Sequence, residues 1–208
     1  SRHPGSLYRV FVRLGYSSKA PSTKKMSKPK PYDTPTELGI KWQMDVKHVP
    51  TICYSGTVPQ KFYQYTVLDE ASRERFIYPY MEHSGYSTVD FLKRAIDYFG
   101  YAPHILQTDN GVEFTNIIKT KRIHYLDIVC SELNINHKLI RPRTPQHNGK
   151  VERSHRNDQE RFYNFLKFYS YEDLKLQMKR YLKRSNNIPM QVLDWKSPLQ
   201  KRLELETV

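Results

Sequence analysis

The sequence predicts an α/β domain built on a mixed five-stranded sheet, an antiparallel meander continued by parallel strands, with helices on both faces. Three observations predict it. Residues 42–46, WQMDV, alternate apolar and polar side chains with a period of two, as a half-buried strand does. Two further stretches rich in aromatic and β-branched residues follow at short spacing, which makes a meander. Beyond them strand and helix patterns alternate, the sign of crossovers laid over a sheet. At 208 residues the chain can bury one sizeable core.

In chain order, residues 1–32 carry eight Lys/Arg and no acid. Their Pro-, Ser- and Lys-rich part resists packing and reads as a basic linker. The more apolar SLYRVFVRLGY reads as the last helix of an upstream DNA-binding module, which puts the linker at 1–38 and the main domain at 39–208. The strand KWQMDVKHV sets Asp45 on the face opposite Trp42. KFYQYTVLDE and RFIYPYM are the next two strands, joined by a tight ASR connection. In YSTVDFLKRAIDYFG, Ser87 or Thr88 is the expected cap, Val89, Leu92, Ile96 and Phe99 form one stripe, and Gly100 is the stop. HILQTDNG is a short buried strand ending at Asp109. A helix with Leu126, Val129, Cys130 and Leu133 precedes the strand NHKLI. After the loop RPRTPQHNG, a helix is expected over about 148–168, then another with Tyr171, Leu174, Met178, Tyr181 and Leu182, and a C-terminal extension.

Lys and Arg number 34 against 21 Asp and Glu, a net charge of +13. A field of that sign favours a polyanion, and nucleic acid is the leading partner. No stretch approaches the roughly 20 apolar residues of a membrane span, and no secretory h-region follows the basic start. The expected compartment is the cytoplasm. Cys53 and Cys130 form no C-x-x-C pair, which argues against structural zinc and for reduced thiols.

Residues 141–156, RPRTPQHNGKVERSHR, hold five Lys/Arg and two His but a single acid, Glu152. That acid opposes a phosphate partner unless a cation lies between them. Asp45, inside a strand, also asks for a cation, which Lys41 or Lys47 would supply in the plainest reading. Magnesium or manganese is the alternative, because such ions take oxygen ligands and keep room for substrate phosphates. Two of them serve an in-line phosphodiester displacement. Asp45, Asp109 and Glu152 are therefore the candidate metal ligands, and helical spacing places Glu152, His155, Arg156 and Gln159 on one face. Arg141, Arg143, Asn148, Lys150, Arg153, His155 and Arg156 are the candidate DNA contacts.

WQMDV, TDNGVEF and TPQHNGKVERSHR, in this order, resemble the catalytic core of the transposases of bacterial insertion sequences, the Asp, Asp, Glu recombinases of the retroviral-integrase superfamily. VLDEASR and WKSPLQ also resemble that family, and the likeness covers residues 39–203. The resemblance implies a ribonuclease-H-like fold and metal-dependent cleavage and strand transfer at transposon ends. It implies catalytic roles for Asp45, Asp109 and Glu152, and two Mg2+ (or Mn2+) ions with DNA bound. It also implies transposon ends and target DNA as partners of a homodimer or higher oligomer, acting in a bacterial cytoplasm at the nucleoid. The alternatives are a non-catalytic DNA-binding module on the same fold and a ribonuclease-H-type nuclease. One departure stands out: 42 residues separate Asp109 from Glu152, more than retroviral members usually carry, and TNIIKTKRIHY is where the surplus is expected to loop out.

Other polar residues take ordinary roles. Asp69 and Glu70 are expected to pair with Arg73 or Arg75. Glu113, the main rival for a metal ligand, is expected on a loop surface. His147 is a polar contact, and Trp195 belongs to the core or to an interdomain anchor.

Overall fold

The computed structural model describes residues 4–16, 34–116, 122–141 and 148–207. Packing divides the chain into two units, Ser1–Asp33 and Thr34–Val208. The described part of the first is a helix, α1 (Pro4–Arg13), on which Leu7, Val10 and Phe11 form an exposed apolar stripe.

The second unit is built on five strands: β1 (Lys41–His48), β2 (Tyr63–Asp69), β3 (Arg75–Tyr80), β4 (Ile105–Thr108) and β5 (Asn136–Leu139). Their order across the sheet is β3-β2-β1-β4-β5. β1, β2 and β3 pair antiparallel, while β4 and β5 extend the sheet in parallel. The predicted meander and parallel continuation are both present.

Helices α2 (Gly85–Phe99) and α3 (Tyr125–Glu132) supply the crossovers, followed by α4 (Gly149–Arg161), α5 (Tyr171–Ser185) and α6 (Pro198–Glu206). Two apolar clusters line the two faces of the sheet. One gathers Trp42, Met44, Val67 and Leu106 with Phe91, Leu92 and Phe99 of α2 and Leu126 and Val129 of α3. The other gathers Phe62 and Ile77 with Tyr163, Phe168, Leu174 and Met178. Trp42 is anchored by its indole N–H, which donates to Asp69 Oδ2 at 3.1 Å.

Several expectations need correction. α2 starts earlier than predicted, because Ser84 and not Ser87 or Thr88 supplies the cap, its hydroxyl accepting from the Ser87 N–H; Gly100 ends the helix at φ +78° as expected. α4 stops at Arg161, and a 3-10 turn at Tyr163–Phe165 replaces the rest of the long helix. Trp195, expected in the core or as an interdomain anchor, is outside the core, 70% exposed at φ +62°. Residues 117–121, within the stretch expected to absorb the extra length before Glu152, lie outside the described residues.

Candidate active site

Three polar side chains on one face of β1 position the site. Gln43, Asp45 and Lys47 alternate with the core residues Trp42 and Met44, and α4 lies along their face. Gln43 Oε1 accepts the backbone N–H groups of Lys150 and Val151, both at 3.2 Å. Asp45 Oδ2 is 3.4 Å from His155 Nδ1. Lys47 Nζ donates to the His155 carbonyl and to Gln159 Oε1, each at 3.1 Å. Two residues of strand advance about 6.6 Å and four of helix about 6 Å, so strand and helix keep step. Glu152, in the first turn of α4, is thereby brought towards the level of Asp45.

Asp109 reaches the same place from the sheet. β1 and β4 pair in parallel with Gln43 opposite Gln107, and Asp109, the residue after the end of β4, follows Gln107 by two positions as Asp45 follows Gln43. Neighbouring strands lie about 4.8 Å apart, and even spacing keeps both side chains on one face.

Electrostatics reports the same proximity. Burial and then the negative charge of Asp45 raise the Glu152 carboxyl above its ordinary value; Asp109 adds to the rise and His155 opposes it. Asp109 is also raised, first by burial and then by Asp45 and Glu113, against the Gly111 N–H that stabilises its carboxylate. That N–H donates to Asp109 Oδ1 at 2.9 Å. Asp45 Oδ1 likewise accepts from the next backbone N–H, at 2.9 Å. Among the described residues, no three His, Cys, Asp or Glu side chains are gathered tightly enough to hold a metal ion as they stand.

A chain of matches decides the family. An integrase core domain model matches residues 35–145, and a second of the same description matches 133–198. The chain belongs to the integrase core domain family. The proposed integrase ORF3 of Spiroplasma virus SpV1-C74 is 34% identical to this integrase core over 131 residues, 58% of this chain and 35% of that protein. The chain therefore spans about a third of that relative's length. Among solved structures, a chain of the simian T-cell lymphotropic virus intasome, in complex with PP2A regulatory subunit B56 gamma, superposes with a TM-score of 0.65 at 17% identity. That match covers 86% of this chain and 60% of the other. The HTLV-2 integrase catalytic core in complex with magnesium gives 0.58 at 18% identity, covering 80% and 97%. The catalytic core of BIV integrase gives 0.60 at 21%, covering 81% and 97%. The fold is the ribonuclease-H-like fold of these cores.

The residues expected at DNA fall into three groups. Arg141, Arg153 and Arg156 are exposed. Lys150 and His155 are half-buried and engaged, and Asn148 is buried with its Nδ2 donating to the Met44 carbonyl. Arg143 and His147 lie outside the described residues.

The supporting residues differ from expectation. Lys41 does not serve Asp45: it lies 3.3 Å from Glu70, whose carboxylate also pairs with Lys150 and accepts from Gln43 Nε2 at 2.8 Å. Arg75 is not a partner of Asp69 or Glu70 but of buried Asp158, at 2.7 Å. Asp69 is taken up by the Gly39, Ala71 and Ser72 backbone N–H groups. Glu113 is buried and paired with His83 at 2.9 Å, because the chain folds it under Gly111 and away from the surface. Sequence reasoning missed Gln43, Thr66, Gln64 and Asp158. Their signal was a polar residue every second position on strand faces that had to be covered, and a following helix with almost no apolar residue to cover them.

Proposed function

We propose that this integrase core cuts and joins DNA strands, as a transposase or integrase catalytic domain, by metal-assisted phosphodiester displacement. The observation that supports the reading is the parallel pairing of β1 and β4 with Gln43 opposite Gln107, two residues before Asp45 and Asp109, beside the helix that bears Glu152. Asp45 raises the proton affinity of both Asp109 and Glu152, and a set of carboxylates so placed, all of whose donors are oxygens, suits a hard divalent cation. Asp45, Asp109 and Glu152 would hold magnesium or manganese. Such ions, when bound, supply charge neutralisation and an activated oxygen nucleophile.

The chain supplies the rest. Asp45 and Asp109 each give Oδ1 to a nearby backbone N–H, which fixes the carboxylate while its other oxygen can face an ion. His155 orients Asp45 from one side, bracing its own ring against Thr66 Oγ1 at 3.0 Å. The exposed Arg141 and Arg156 neutralise the flanking phosphates and fix the strand over the acids. No serine or tyrosine nucleophile is required, because water and then a DNA 3′ hydroxyl serve in succession. The proposed partners are transposon ends and target DNA, with a second protomer to bring two ends together. The proposed setting is a bacterial cytoplasm; no described helix is long and apolar enough to cross a membrane.

The test is a strand-transfer assay with pre-cut oligonucleotide ends in magnesium or manganese. Joining by the wild-type chain and none by Asp109→Asn, with DNA binding retained, is expected. Equal joining by both removes Asp109 from the reaction. Preferential cleavage of RNA in hybrids points instead to a ribonuclease-H-type nuclease, and salt-sensitive binding without nicking in either metal points to a DNA-binding module.

A further inference from the structure

The flank of α4 turned away from Glu152 borders a second feature, a groove of about 730 Å3 between α4, the end of α5 and the loop at residues 188–192. At 100° per residue, Arg153, Asn157 and Arg161 stand roughly 100–180° around the helix from Glu152, so this groove and the three acids use different faces. Five Lys/Arg line the groove, Arg73, Arg75, Lys150, Arg153 and Arg161, and no Asp or Glu does among the described residues. Lys150 and Arg75 are neutralised from behind by Glu70 and Asp158. Arg153 and Arg161 are exposed and have no carboxylate partner among the described residues.

A separate observation points to a ligand. Arg75 is 5% exposed, and its Nη2 and Nε are satisfied by Asp158 and Ser185, but its buried Nη1 has no acceptor among the described residues. Nearly all buried donors in folded proteins find one, and a guanidinium N–H is costly to leave unpaired. The opposite wall is apolar, formed by Pro189, Met190 and Val192. Val192 is 66% exposed.

A cationic wall facing an apolar one gives phosphates and base faces separate sides of a groove, the division that single-strand sites make with charged and aromatic side chains. At about 730 Å3 the groove has the size of a pocket for a drug-sized ligand, which fits a short run of one strand. We infer that it takes an unpaired DNA strand next to the reacting phosphodiester, with phosphates on Arg153 and Arg161. This rests on the cutting-and-joining reading, and Gly149 and Lys150 join the groove to the start of the helix that carries Glu152.

The experiment measures binding of a fluorescein-labelled dT 12-mer, and of a duplex of the same length, by anisotropy against salt in EDTA. The proteins are wild type, Arg153→Ala/Arg161→Ala and, from the other face, Arg156→Ala. Loss of two phosphate contacts should flatten the single-strand log–log salt slope by about 1.4 and weaken binding on the order of tenfold at low salt, with a smaller effect on the duplex. A 4-thiothymidine in the strand should crosslink to residues 188–192 in wild type and less in the double variant. Unchanged single-strand affinity and slope overturn the inference. So does a duplex loss as large as the single-strand loss, which makes the groove a duplex flank. Competition by dTMP as strong as by the 12-mer makes it a mononucleotide pocket and also overturns it. If no protein joins strands yet the double variant alone loses the single strand, the groove stands and the catalytic reading fails; the reverse pattern sinks the groove alone.

Discussion

The side-chain oxygen of Gln43 accepts the backbone N–H of Lys150 at 3.2 Å, tying the strand that carries Asp45 to the helix that carries Glu152. The Val151 N–H joins it at the same distance. Asn148, at the helix start, makes no side-chain cap and donates to Met44 instead. One carboxamide from β1 therefore does the work of a cap for two otherwise unsatisfied donors. Its nitrogen is held by Glu70, which also grips Lys150. Two acids far apart in sequence are set at a fixed separation by buried polar contacts.

Replacing Gln43 should loosen that separation. Gln43→Leu removes the acceptor of two N–H groups and one partner of Glu70. The cost is about 1–3 kcal/mol for each buried group left unsatisfied, measured by urea unfolding. Metal-dependent joining should fall further than this loss explains at temperatures where the variant is folded. Joining at the wild-type rate in a folded Gln43→Leu protein shows that the clamp does not set the acids.

Asp109→Asn should raise thermal stability in metal-free buffer. Burial and the charges of Asp45 and Glu113 lift the carboxyl above its ordinary value. Its favourable contribution is therefore complete only below the unfolded value, near 3.9, and is lost as pH rises through the folded one. At neutral pH the ionised group opposes folding, and an uncharged amide does not. Magnesium should then raise the melting temperature of wild type but little that of the variant. A lower melting temperature for Asp109→Asn without metal runs against this account.

Asp158 works in the opposite sense. It is fully buried, and although burial itself pushes its carboxyl up, Arg75 and hydrogen bonds from Arg75 and Gln64 outweigh it and hold the carboxyl below its ordinary value. The resulting stability is present above the unfolded value, near 3.9, and disappears as pH falls through the folded one. Arg75→Met should cost about 3–5 kcal/mol at neutral pH by stranding a buried charge. Adding Asp158→Leu should recover much of it. Calorimetry across acid pH checks both, and a double variant no better than the single one refutes the pairing argument.

The sequence made the sheet legible because strands 41–48, 63–69 and 75–80 advertise themselves by alternation and aromatic content, and Gly100 marks its helix end. Asp45 was legible as an acid on the polar face of a core strand. The partners of that face were not. Gln43, Thr66 and Asp158 are polar residues whose burial depends on α4 docking across β1 and β2, a long-range event that local periodicity does not encode. The ion pair of Lys150 was hidden for the same reason: nothing near it in sequence reveals Glu70, eighty residues earlier.

His155 offers the last test of how the site is held. Its Nδ1 faces Asp45 at 3.4 Å and its Nε2 meets Thr66 Oγ1 at 3.0 Å, which is in turn bonded by Gln64 Nε2 at 2.9 Å. Gln64 also donates to Asp158 at 2.7 Å, so a line of side chains runs from the candidate metal ligand to the buried ion pair. Shortening the line at its half-buried end, His155, should let Asp45 turn freely while leaving Asp158 and Arg75 in place. His155→Ala is expected to weaken manganese binding, read by calorimetry, by about 10–100-fold, as loss of an outer partner of a metal ligand does. Thr66→Val should act in the same direction and more weakly, because the ring keeps its contact with Asp45. Unaltered manganese affinity in His155→Ala shows that Asp45 is oriented by its own backbone contact alone.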